Sequence, residues 1–453
     1  MGKKGEQVEH LWEKVFKNDL QGMLLPIVLM ALIGVINIFS ATYVGSITTD
    51  DGLWGYAPKH GLFLLVSAVF GLLYRYDYRK LQNPTLLRRI MYVTAVLLAA
   101  IYFVGVEVNG ARRWISIGRF SLQPSEFAKL AALLWTAAKL ADKPWKNPRF
   151  KSILQRVKGL KQWQVFCWFW WERIRYMVYM LFWPLAFALL TFKQPDMGTA
   201  VLIVGFSFLL IFLSGFEKGI FGITFILAII GGAYMARSSD YRWKRVESWF
   251  DPWSYAQDQG YQTVQGLLAV GSGGFFGQGF MNGTSKYFYL PEAHTDFAFA
   301  VWAQEMGFLG SIFVVLLMAT FTYFGFRIAN RARDSFGKWL ALGITILIGG
   351  QAFFNIAMVC GMLPVTGVPL PFISYGGSSL MMNCMAIGIL ASIARRGVEG
   401  VKPVGTKETL PSLREETRSR FKPSKQVEPK LPGRFVPQIK DNLYELYMYE
   451  GKQ

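Results

Sequence analysis

Apolar residues in this chain gather in long blocks, and the blocks at 24–38, 200–213 and 220–234 contain no charged side chain. A helix needs roughly 20 mostly apolar residues to cross ~30 Å of hydrocarbon. With their flanks, several blocks reach that length, so the pattern predicts an all-α polytopic membrane protein. About ten spans are expected, at 20–43, 58–74, 90–107, 122–141, 178–193, 198–214, 217–236, 297–325, 339–361 and 373–394. They form one membrane domain, 20–396, after a short N-terminal segment, 1–19. Between spans seven and eight lies a large loop, 237–296, and long loops in compact proteins usually have a task. The stretch 142–176 is basic and Trp-rich, as expected of an element lying in the membrane interface. The tail, 397–453, is rich in Pro and charge and reads as a disordered extension.

Charge adds an orientation. Basic clusters at Arg75, Arg79, Lys80, Arg88 and Arg89, at 143–161, at Arg327, Arg331, Arg333 and Lys338, and at Arg395 and Arg396 all fall on one side of a ten-span bundle. That side is expected to be cytoplasmic, with both termini there. The net charge of +19 is then a topology and anionic-lipid signal. No nucleic-acid recognition module accompanies it, so nucleic acid is not an expected partner. Cys167, Cys360 and Cys384 are widely spaced and suggest neither disulfides nor a zinc site.

Candidate chemistry sits at the opposite face. Leu290-Pro291-Glu292-Ala293-His294-Thr295-Asp296 places two carboxylates and one of three histidines just before an apolar run. A carboxylate screened from water at the membrane edge has a raised pKa and can take a proton near neutral pH. Acids capping the following helix would look the same. Arg112 and Arg113 stand on the face where positive charge is disfavoured, which calls for an anionic partner: a diphosphate or lipid headgroups. Glu126 and Lys129 share a helix face and either pair or meet a ligand. Asp196 lies in a tight turn at the same edge, and Glu305 is about two turns into span eight, where an unpaired carboxylate is expensive. Gly-rich residues 271–279 allow close backbone approach to a ligand. Pro364, Pro369 and Pro371 precede Ser374-Tyr375-Gly376-Gly377, and irregular backbone at this depth is tolerated only around a cavity or inside protein.

These motifs, in order, resemble the SEDS family (shape, elongation, division and sporulation), the membrane peptidoglycan polymerases of the FtsW, RodA and SpoVE type. The resemblance is carried by residues 109–115, Gln123-Pro124-Ser125-Glu126, Gln194-Pro195-Asp196-Met197-Gly198, Gly271-Ser272-Gly273-Gly274, residues 291–297 and residues 364–379. The wording at 260–265 and 289–296 is closer to the FtsW and SpoVE pattern than to RodA. The resemblance implies a glycosyltransferase that polymerises lipid II into β-1,4 glycan strands on the outer face of the bacterial cytoplasmic membrane, releasing undecaprenyl diphosphate. Asp296 is implied as the catalytic acid group. Arg112, Arg113, Lys129, Glu126, His294, Glu292, Ser374 and Tyr375 are the expected substrate-binding residues. A class B penicillin-binding protein transpeptidase, other division proteins and membrane lipids are implied partners, with localisation at the division septum. An assisting divalent cation, Mg2+ or Mn2+, has no evident ligand cluster. Elongation or sporulation polymerases are alternatives within the family. From the residues alone, a lipid II flippase and a scaffold remain open, because broken helices and membrane-depth charges serve transporters too.

Overall fold

The computed structural model describes residues 18–48, 56–108, 111–117, 120–142, 162–215, 218–238, 240–287 and 289–398. The expected tail from residue 399 on, the whole basic stretch 143–161 and Asn109-Gly110 lie outside the described residues. In chain order the helices begin with α1 (Asp19–Thr48), α2 (Ala57–Gly71) and α3 (Pro84–Val104). A three-stranded antiparallel sheet follows, β1 (Val106–Val108), β2 (Ala111–Ile117) and β3 (Phe120–Leu122), in the order β1-β2-β3. Then come α4 (Pro124–Asp142), α5 (Gln162–Phe192), α6 (Met197–Leu213), α7 (Lys218–Arg237), α8 (Asp240–Phe250) and α9 (Tyr261–Ser272). The chain closes with α10 (Ala298–Arg331), α11 (Ser335–Val359) and α12 (Gly377–Val398).

A helix occupies each of the ten expected segments, and among the described residues seven helices are long and apolar enough to cross a membrane. Start signals are local. Asn83 and Asp334 accept the backbone N–H of Thr85 at 2.9 Å and Gly337 at 3.1 Å, capping α3 and α11. The Trp-rich residues 163–171 are not a separate element. They form the N-terminal half of α5 and run on directly into the expected span. The loop 237–296 is organised by α8 and α9.

α4, α11 and α12 are enclosed by the other helices, whereas α2 and α7 turn Leu65, Val69, Ile226 and Ile230 outward. Such apolar exposure suits hydrocarbon rather than water. One end of the bundle is fastened by ion pairs: Asp19 with Arg327 at 3.1 Å and Arg331 at 2.8 Å, and Asp77 with Arg396 at 3.4 Å. Tyr78 donates its hydroxyl to Asp334 there. The other end collects the sheet, the 192–197 turn, the loop 237–297 and the irregular segment 360–376. It is the site end.

At the site end α10 breaks at Gly307, whose φ of 66° lies in the left-handed region. The glycine-rich loop fills the break. Gln278 and Gly279 donate backbone N–H groups to the carbonyls of Gln304 and Glu305 at 3.0 and 3.1 Å. Phe308 and Leu309 donate theirs to Gly274 and Phe275 at 2.9 and 3.3 Å. Groups orphaned by the break are thereby satisfied. Glu305, costly if unpaired, has a partner: Lys286 Nζ lies 2.8 Å from its carboxylate, and Ser40 Oγ donates to the same oxygen at 2.6 Å.

Candidate active site

Asp296 ends the turns that lead into α10, and two neighbouring elements fix it. Asn355 on α11 donates its side-chain amide to the backbone carbonyls of Asp296 at 2.8 Å and Val368 at 2.7 Å. One side chain thus ties the 290–297 segment to the proline-rich segment 364–371. A second tie runs from the Tyr375 N–H to the His294 carbonyl at 2.8 Å. Gly367, with φ +69°, leaves room beside the carboxylate: a Cβ there would stand 3.3 Å from Asp296 Oδ2.

Asp296 is half-buried. Burial pushes its carboxyl up to about 7, and the carboxylates of Glu292, Asp196 and Glu126 add to the rise while Arg113 opposes it. Four acids and one arginine from four separate stretches of sequence therefore share one electrostatic neighbourhood. Burial also lowers the His294 imidazole, with Glu292 opposing, so His294 stays neutral at pH 7.

The expected site residues divide into groups. Glu292, at φ +54°, accepts the Thr295 hydroxyl at 2.6 Å and stays exposed. Successive strand residues face opposite ways, and β2 separates its two arginines. Arg112 pairs with Glu107 across the β1–β2 register at 3.3 Å, both exposed. Arg113 donates to the carbonyls of Gln194 and Pro195, holding the turn that carries Asp196. Asp196 caps α6 through the Thr199 N–H at 3.2 Å and accepts from Gln123 at 3.2 Å.

Glu126 and Lys129 form a fully enclosed ion pair at 2.9 Å. Lys129 also donates to Gln351 at 2.8 Å, and Gln351 donates to the Pro369 carbonyl at 2.9 Å. Ser374 accepts the Leu370 N–H at 2.8 Å, closing a turn. Tyr375 packs edge-on to Tyr56 and tilted to His294, with ring centroids 5.5 Å and 5.8 Å away. Tyr56, Gln351 and Asn355 carry no motif that marks them in the sequence.

Among the described residues no three His, Cys, Asp or Glu side chains come together as a metal-ligand set.

Fold and site define a polytopic membrane protein with four carboxylates gathered at one end of the bundle, a region termed the vestibule below. Residues 21–398 match the profile of the FtsW/RodA/SpoVE family, described as cell cycle protein, and the chain belongs to that family. It is 35% identical over 383 residues to stage V sporulation protein E of Bacillus subtilis (strain 168), covering 84% of this chain and 98% of that protein. It is 34% identical over 379 residues to the probable peptidoglycan glycosyltransferase FtsW of Geobacter sp. (strain M18), covering 83% and 96%. A solved chain described as "Structural coordination of polymerization and crosslinking by a peptidoglycan synthase complex" is similar with a TM-score of 0.63. Its identity is 25%, over 83% of this chain and 97% of that one.

Proposed function

We propose that this chain is a peptidoglycan glycosyltransferase that joins lipid II into β-1,4 glycan strands, with Asp296 as general base. The observation that carries the reading is a half-buried carboxyl poised at about 7 in the vestibule of a membrane bundle. Relatives named peptidoglycan glycosyltransferase support the reaction class. The basic end is the cytoplasmic one by the positive-inside rule, which puts the vestibule on the outer face and both termini inside.

Asp296 accepts the proton of the acceptor sugar's 4-hydroxyl as that oxygen attacks C1 of the donor's MurNAc. The C1–oxygen bond to the diphosphate breaks, and its electron pair leaves with undecaprenyl diphosphate. Attack from the opposite face inverts C1 and sets the β link. Arg113, the cation closest in effect to Asp296, exchanges carbonyl partners for the departing diphosphate. Arg112 joins by leaving Glu107, an exposed pair worth about 1 kcal/mol or less. Lys129 and Glu126 act from beneath, holding Pro369 through Gln351. His294 and Tyr375, with Tyr56, form an aromatic wall for a sugar face. Ser374 keeps the wall's turn closed. A divalent cation held by Glu292 and the substrate's phosphates would neutralise the leaving group and leave Asp296 free to act as base.

The peptidoglycan synthase complex among the solved relatives supports a class B penicillin-binding protein as partner. Septal wall synthesis is the role favoured by relatives named FtsW, and the equally similar SpoVE supports a sporulation role as the second reading. Purified protein given lipid II is expected to make polymer, and Asp296→Asn to abolish it while the protein stays folded. Full-rate polymer from the Asn variant would overturn the assignment.

A further inference from the structure

Helix α10 has 34 residues and is therefore about 51 Å long at ~1.5 Å per residue, well beyond the ~30 Å of hydrocarbon. Its basic edge is marked by Arg327, ion-paired to Asp19. Counting about 30 Å back from Arg327 at ~1.5 Å per residue reaches Phe308, one residue past the break at Gly307. The break thus lies at the hydrocarbon boundary on the site end. The glycine-rich loop is bonded to this level by four backbone hydrogen bonds, through Gly274, Phe275, Gln278 and Gly279.

The surface of that loop is unlike one made for water. Phe275, Phe276, Phe280, Tyr287 and Tyr289 are exposed, Phe276 to 78%. Residues 271–289 contain a single charged side chain, Lys286, and it is buried against Glu305 with 1% of its side chain exposed. Exposed polar groups are limited to neutral ones such as Gln278 and Asn282. Phe275 also stacks on Phe308, with ring centroids 5.7 Å apart at 22°. The patch therefore continues the outward apolar face of α10, where Ile312, Phe313 and Leu316 are exposed.

We infer that the loop 273–289 is a membrane-contacting element whose aromatic rim sits among the phospholipid headgroups and upper acyl chains at the site end. Aromatic side chains are favoured at that boundary, whereas an apolar patch of this extent is unfavourable in water. Hiding the one ammonium in an ion pair lets the loop enter the interface without carrying a charge down. The loop's backbone is locked to α10 and its chain runs directly into 290–296, so its depth fixes the height of Asp296 above the hydrocarbon. This consequence rests on the polymerase reading; the membrane contact itself does not.

The test is a depth measurement that needs no activity. In the full chain, with Cys167, Cys360 and Cys384 replaced by serine, a nitroxide is attached at Phe276→Cys. The same is done at Gln257→Cys as the aqueous reference and at Leu316→Cys as the lipid reference; all three positions are exposed. In nanodiscs of phosphatidylethanolamine and phosphatidylglycerol, collision rates with oxygen and with a water-soluble nickel chelate are compared. The oxygen-to-nickel ratio at 276 is expected to be several-fold above that at 257 and to approach that at 316. A ratio equal to that at 257 places the loop in water and overturns the inference. Protection of 276 from both reagents overturns it as well, because the patch is then covered by protein.

Discussion

A carboxyl poised at about 7 has two measurable consequences at Asp296. The base must be ionised to work, so the rate should rise with pH through about 7 and level off above it. The second concerns stability. An unfolded Asp titrates near ~3.9, so the folded state holds this proton more tightly than the unfolded chain does. Ionising Asp296 in place therefore costs stability: nothing below about pH 4, a growing amount between about 4 and 7, and the full amount above. At ~1.4 kcal/mol per tenfold change the cost is of order a few kcal/mol. Asp296→Asn is expected to melt higher than wild type at about pH 8 and alike near pH 4, a difference thermal unfolding in detergent would resolve. Asp296 was legible in the sequence because a carboxylate stands out against an apolar run. Asn355, Gln351 and Tyr56 were not, since each reaches the site from a distant helix and looks ordinary in its own segment. The adjacent arginines take different partners in the folded chain, Arg112 the Glu107 carboxylate and Arg113 the 194–195 turn, because strand alternation turns neighbours apart.

The break in α10 is the element that joins loop, helix and site. A Cβ on Gly307 would meet the Gly277 backbone nitrogen at 2.2 Å, and φ +66° is unfavourable for any L side chain. Gly307→Ala is expected to lower the melting temperature markedly, with loss of activity through displacement of 290–296. The pair beside it makes a sharper case. Removing one member of a buried ion pair typically costs about 3–5 kcal/mol, while replacing both by apolar groups is often neutral. Lys286→Met and Glu305→Leu should each destabilise strongly, and the double variant should recover most of the loss in a thermal-unfolding cycle. Purely additive losses would show that the pair is not coupled. Hydrophobic period and length located the ten helical segments, because burial in lipid demands long apolar runs. They also flagged Glu305 as needing a partner. Lys286 could not be matched to it, because that contact exists only where the helix breaks. The same break makes the glycine-rich stretch a backbone partner of α10.

For the molecule as a whole, the two ends of the bundle carry opposite tasks. Ion pairs such as Asp19 with Arg327 and Arg331 fasten one end, while the other keeps like charges near each other around Asp296. A membrane-impermeant maleimide applied to intact cells is expected to label a cysteine at exposed Gln257 but not one at exposed Arg333. Labelling of Arg333→Cys alone would invert the orientation and place the vestibule on the wrong face for wall synthesis. The central claim is that this vestibule performs base-assisted glycan polymerisation through Asp296. Its most direct test is the initial rate of lipid II polymerisation by the purified protein and its Asp296→Asn variant from about pH 5.5 to 8.5. The wild-type rate is expected to rise nearly tenfold per pH unit below about 7 and then level. The Asn variant should be slower by about 10²–10⁴-fold, the usual worth of general-base catalysis. A wild-type rate that is flat across the range, or an Asn variant that polymerises at the wild-type rate, would contradict it.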